Sequence, residues 1–189
     1  MLVTVLLLTL LAVAAATDLG RHKIYNWTTY PGMLAALALN GTGSALMRLE
    51  LVEQSSLERL GWIGVMPSLI GLLACGFVLL VCYVLLRVGG GDVKLMAMLG
   101  AFLGPEKGIE AMLWTFVLGG CVGVILLIWR VGPWPLLVRL TRWVLWKVRL
   151  GRWSPLSEEE RAQLQPPLFL APSALVAVVI VCFGLIGPR

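Results

Sequence analysis

The sequence predicts an all-α polytopic membrane protein, a bundle of about six transmembrane helices with a pair of aspartates on its cytoplasmic side. Hydrophobic residues make up 59% of the chain and charged residues 13%, far from the soluble balance of roughly half apolar and a quarter charged. The mean hydropathy is +0.92. The apolar residues fall in runs separated by short charged stretches, and the 189 residues allow about six crossings at roughly 20 residues each. The two aspartates of the chain, Asp18 and Asp92, each stand at the end of such a run. One membrane-embedded domain over residues 1–189 accounts for this length.

The first run, Met1 to Thr17, carries Ala-x-Ala triplets that resemble a signal-peptidase site, so a cleaved signal peptide is the rival reading. No Lys or Arg precedes the run, whereas Arg21 and Lys23 follow it. These flanks favour an uncleaved first span with its N-terminus outside. Asp18 closes this span, and a short basic loop follows, ending in the aromatics Tyr25 and Trp27. The second run, about Tyr30 to Leu46, is weakly apolar and rich in small and hydroxylated residues, which suits a helix shielded from lipid.

Residues 47–59 are polar and read as a loop or a short surface helix. Trp62 to Leu86 is the clearest span, without charge up to Arg87. Next comes Gly89-Gly90-Gly91-Asp92-Val93-Lys94. Asp92 has a bland reading as a helix N-cap preceded by a glycine turn. A carboxylate at a membrane helix end is also a functional candidate by default. The following run, Val93 to Leu103, is about half a membrane thick, which predicts a recessed acid or a thinned bilayer.

Gly104-Pro105-Glu106-Lys107 predicts a tight turn, and Ile109 to Trp129 predicts another span. Residues 130–152 then alternate Arg and Lys with Trp134, Trp143 and Trp146, the pattern of an interfacial helix on anionic lipid. Ser157 to Glu160 has capping-box spacing and opens a connector that stops at Pro166-Pro167. The last apolar run, Leu168 to Gly187, completes six spans.

The net charge of +5 would suggest nucleic acid in a soluble chain, but here the basic residues sit between apolar runs and read as topology signals. Of the 15 Lys and Arg, all except Arg48, Arg59, Lys107 and Arg189 fall on the side of Asp18 and Asp92. Both acids are therefore expected on the cytoplasmic face, with both termini outside. The four cysteines lie inside apolar runs without a CxxC pair, so they suggest neither zinc nor disulfides. With one histidine, His22, and no clustered cysteines, chemistry without metal or nucleotide is expected.

Two carboxyls at membrane helix ends on one face can share a proton, because neighbouring carboxylates in a low dielectric do not both ionise easily. One then accepts a proton from attacking water while the other supports the oxyanion, as in an aspartic protease. Asp92 opens a helix and Asp18 closes one, so the helix dipoles alone assign the shared proton to Asp18.

Asp18-Leu19-Gly20-Arg21-His22-Lys23-Ile24-Tyr25-Asn26 followed by Gly89-Gly90-Gly91-Asp92-Val93-Lys94 resembles the type IV prepilin peptidases, which belong with the GxGD intramembrane aspartyl proteases. Tyr25 stands where the family pattern, I-P-N after a basic segment, has proline. Pro167 to Pro172 looks like the family's final-helix entrance. The resemblance implies removal of the leader peptide of prepilins or pseudopilins at the cytoplasmic face of a bacterial or archaeal membrane. Asp18 and Asp92 would be the catalytic pair, and Gly89, Gly91 and Lys94 the supporting motif residues. The paired cysteines of the longer, methylating members are absent from this sequence, so the likeness is to the short, peptidase-only form. The implied partners are the substrate and membrane lipid, without nucleic acid. A reading from another class is a non-enzymatic helical bundle, such as a transporter or assembly subunit, whose two aspartates carry protons or bind a partner.

Overall fold

A computed structural model describes residues 2–21, 24–86, 89–132, 134, 138, 141 and 170–185. The chain forms two units, residues 1–118 with 169–189, and residues 119–168. Among the described residues the elements are α1 (Leu2–Arg21), α2 (Asn26–Arg48), α3 (Gln54–Leu60), α4 (Val65–Leu86), α5 (Gly90–Val131) and a last helix, α6 (Leu170–Phe183). The described part of the second unit is the C-terminal stretch of α5 and a few isolated residues beyond it. The basic Trp-rich segment, apart from those isolated positions, lies outside the described residues, as do Ser157 to Glu160 and the start of the Pro167 stretch.

In the first unit α1 buries Val3, Leu7, Leu11, Ala14, Ala15 and Asp18. This spacing of three and four residues is one helical stripe, and Asp18 prolongs it by a turn. The stripe packs chiefly on α6 and also on α2, where Ala171, Ala174 and Val178 of α6 are fully buried.

The buried face of α2 is small and polar, comprising Thr28, Thr29, Gly32, Ala36, Asn40 and Gly43. It starts four residues before the apolar run, with Thr28 and Thr29 buried and Asn26 bonded to Lys94 of α5. Asn40 replaces apolar packing with hydrogen bonds. Its amide donates to the Ala36 carbonyl (3.0 Å) and accepts from the Ile63 N–H (3.1 Å), while its own carbonyl accepts from the Trp62 indole N–H (3.0 Å). The end of α2 is thereby tied to the start of α4. Residues 47–59, open between loop and helix in the sequence, contain α3, which stops at Gly61 in a left-handed C-cap (φ 92°).

Residues 95–102 of α5 are buried on every side, which their apolar character on all faces requires. The short run is therefore a helix enclosed by other helices. It ends at Gly104, whose φ of 80° and ψ of −179° interrupt the helix in a region open essentially to glycine alone. The break leaves the preceding carbonyls without intrahelical donors, and Pro105 has no N–H to offer. Ser68 of α4 supplies one donor, its hydroxyl reaching the Ala101 carbonyl at 2.6 Å. Alongside, Gly71 and Gly100 bring the two backbones into direct contact, and a Cβ on either would overlap the other's carbonyl. Gly100, Gly104 and Gly108 repeat at four-residue spacing, a small-residue signature for close helix packing in membranes.

Among the described residues three helical stretches are long and apolar enough to cross a membrane: Leu2–Arg21, Gln54–Leu85, and Gly90–Trp129 counted across the Gly104 break. Large apolar side chains such as Leu73, Phe77 and Val84 on α4 face outward. A surface of this kind is stable against lipid and costly in water. The protein is a membrane protein. Helix α6 is apolar but has 14 residues, about 21 Å at the α-helical rise.

Candidate active site

Asp18 comes to the site because it lies on the core-facing stripe of α1. Its residue is 8% exposed, and its Oδ2 accepts the backbone N–H of Ala171 at 3.3 Å. Ala171 lies in the first turn of α6, where backbone N–H groups lack intrahelical acceptors. The Asp18 carboxyl thus meets an unmet need of a helix 153 positions away.

Asp92 lies in the first turn of α5, its N–H donating to the Gly89 carbonyl at 3.1 Å. It is half-buried and within electrostatic reach of the Asp18 carboxyl. Each acid faces the N-terminal end of a helix, Asp92 that of α5 and Asp18 that of α6. The dipole difference expected from the helix ends of α1 and α5 is therefore offset by the contact with α6.

The motif glycines act through space. A Cβ on Gly89 would stand 2.9 Å from Oδ2 of Asp92, and one on Gly91 would stand 3.1 Å from the Cβ of Ile24. Between them, Gly90 has room, its nearest neighbour being Cε2 of Tyr83 at 3.8 Å. The pattern of two required glycines around a free position follows from these three surroundings.

Lys94 does not turn toward the acids. Its Nζ donates to Oδ1 of Asn26 at 2.8 Å and sits 4.9 Å from the ring centroid of Tyr30. Tyr25, at the place of the pattern's proline, is the N-cap of α2 with φ −81° and ψ 136°, a backbone that proline also adopts. Its hydroxyl accepts from Arg21 Nη1 at 3.0 Å. His22 and Lys23 lie outside the described residues.

Asn26, Tyr30 and the Ala171 N–H are the neighbours that sequence reading assigned no role. Asn26 had a signal, standing at the end of the quoted motif. Ala171 stands within the Pro167 to Pro172 stretch, but nothing in its side chain points to the role of its N–H, since any residue with a free N–H serves there.

A family model described as the type IV leader peptidase family matches residues 5–124. The chain belongs to this family. Both aspartates, the motif glycines Gly89 and Gly91, and Lys94 fall within the matched residues, whereas α6 lies beyond them. Comparison with curated proteins and with solved structures gives no match. As a member of the type IV leader peptidase family, the chain is a peptidase-like membrane protein.

Proposed function

We propose that the protein is a membrane aspartyl endopeptidase that removes the leader peptide of type IV prepilins or prepilin-like proteins. Asp18 and Asp92 are the catalytic pair in this reading. What supports it is membership of the leader peptidase family, whose matched residues include Asp18 on the buried stripe of α1 and Asp92 in the first turn of α5.

One carboxylate takes a proton from water as the water oxygen bonds to the peptide carbonyl carbon. The protonated partner donates a hydrogen bond to the developing oxyanion. Collapse of the tetrahedral intermediate breaks the C–N bond, and the leaving amine receives the proton. The Ala171 N–H holds Asp18 in place throughout.

The enzyme crosses the cytoplasmic membrane of a bacterium or archaeon six times, with both acids at the cytoplasmic face. Its partners are prepilin or pseudopilin substrates and the surrounding lipid. The test is cleavage of a prepilin peptide by purified, folded Asp18→Asn and Asp92→Asn variants. Both should lose cleavage while inserting normally, and near-parental cleavage by either one rules out a two-aspartate mechanism.

A further inference from the structure

We propose that Lys94 is a positioning residue, with Asn26 and Tyr30 of α2 as its clamp, and that it acts on the reaction only through the placement of Asp92. The proposal rests on the aspartyl peptidase reading given above.

Three contacts converge on one small area. Lys94 Nζ reaches Asn26 Oδ1 (2.8 Å), the same ammonium lies over the Tyr30 ring (4.9 Å), and Gly91 approaches Ile24 closely enough that a Cβ would touch it at 3.1 Å. All three join the first turns of α5 to residues 24–30. Two residues apart on a helix, Asp92 and Lys94 leave the axis roughly 200° apart. One side of the turn therefore carries the acid and the other is fastened to α2.

The chemistry of the partners fits a clamp. An amide oxygen and the face of an aromatic ring both attract an ammonium without neutralising it. Neither partner would compete with the acids for a proton. The first turn of a helix is also where fastening has most effect, because its N–H groups lack intrahelical acceptors and the end frays most readily. Below this turn α5 is buried from Leu95 to Phe102, so packing holds the helix there. Above it, Gly89 and Gly90 offer no side chain to pack. Val93 packs against the core, and Lys94 is the polar side chain that fastens the turn to α2.

Two measurements on the detergent-purified full chain test this. The first is amide exchange over residues 89–95 in Lys94→Met, Asn26→Ala and the double variant. Exchange should rise alike in all three and be restored by Lys94→Arg. Unchanged exchange in Lys94→Met overturns the clamp whether or not the protein proves to be a protease.

The second is cleavage of a prepilin peptide. Fastening that fails lets the carboxyl drift, and displacement on the ångström scale costs up to about a hundredfold in rate. Lys94→Met and Asn26→Ala should each lower kcat roughly tenfold with KM unchanged, the double variant being no worse than either single, and Lys94→Arg should recover most of the loss. If Lys94 instead touches substrate, KM rises in Lys94→Met, Asn26→Ala cleaves normally and the proposal fails. Parental cleavage by Asp92→Asn would sink the underlying peptidase reading separately, leaving the exchange result to decide the clamp.

Discussion

Replacing Gly89 by alanine should separate catalysis from stability. The added Cβ would lie 2.9 Å from Oδ2 and 3.7 Å from Cγ of Asp92, a few tenths of an ångström inside ordinary carbon–oxygen contact. The only atom that must move is the far end of the Asp92 side chain, and a small rotation about its side-chain bonds achieves this at a cost of about 1 kcal/mol or less. In catalysis the same rotation is expensive. If a displacement of about 1 Å costs around a hundredfold, one of several tenths costs roughly tenfold. Gly90→Ala is the control, because its Cβ meets Tyr83 at 3.8 Å, an ordinary contact. The assay is prepilin-peptide cleavage under single-turnover conditions, with thermal unfolding of the same preparations in detergent. Gly89→Ala should lose about tenfold in rate with little change in melting, and Gly90→Ala should match the parent. A parental rate in Gly89→Ala, or a larger loss in Gly90→Ala, refutes this reasoning.

Ser68→Ala removes the hydroxyl donor to Ala101 and leaves a buried carbonyl unmet, which costs about 1–3 kcal/mol in general and less on average between membrane helices. A loss of about 1–2 kcal/mol, or roughly 3–6 °C in apparent melting temperature, is expected, and an unchanged melting curve would contradict the role given to Ser68. With the four native cysteines replaced, a cysteine introduced near Ser55 should be labelled by an impermeant reagent in intact cells and one near Arg142 should not; the opposite pattern overturns cytoplasmic cleavage. Chelator should leave cleavage unchanged, and loss of activity that zinc restores would count against the aspartyl mechanism.

What could be read from the sequence was what depends on local pattern. The Gly104-Pro105 pair marked the break in α5, and the core-facing spacing of α1 carried Asp18 with it. The glycines around Asp92 were legible as a motif, but the reason for them was not, because it lies in the distances to Asp92 and Ile24. The start of α2 was misplaced by four residues because polarity near a membrane run reads as a loop. Here Asn26 binds Lys94, and Thr28 and Thr29 are buried. The dipole of α1 is readable from Asp18's own helix, whereas the opposing N–H belongs to Ala171 of α6. Only folding brings that residue near.

That same contact has a consequence for biosynthesis. A nascent chain that has emerged through α5 already carries both carboxyls, yet the N–H that holds Asp18 belongs to a helix not yet made. Until α6 is inserted, the stripe of α1 that ends in Asp18 also lacks its principal packing partner. The acids are thus present long before the site is complete, and the protein acquires its finished geometry only as the ribosome delivers the last described helix.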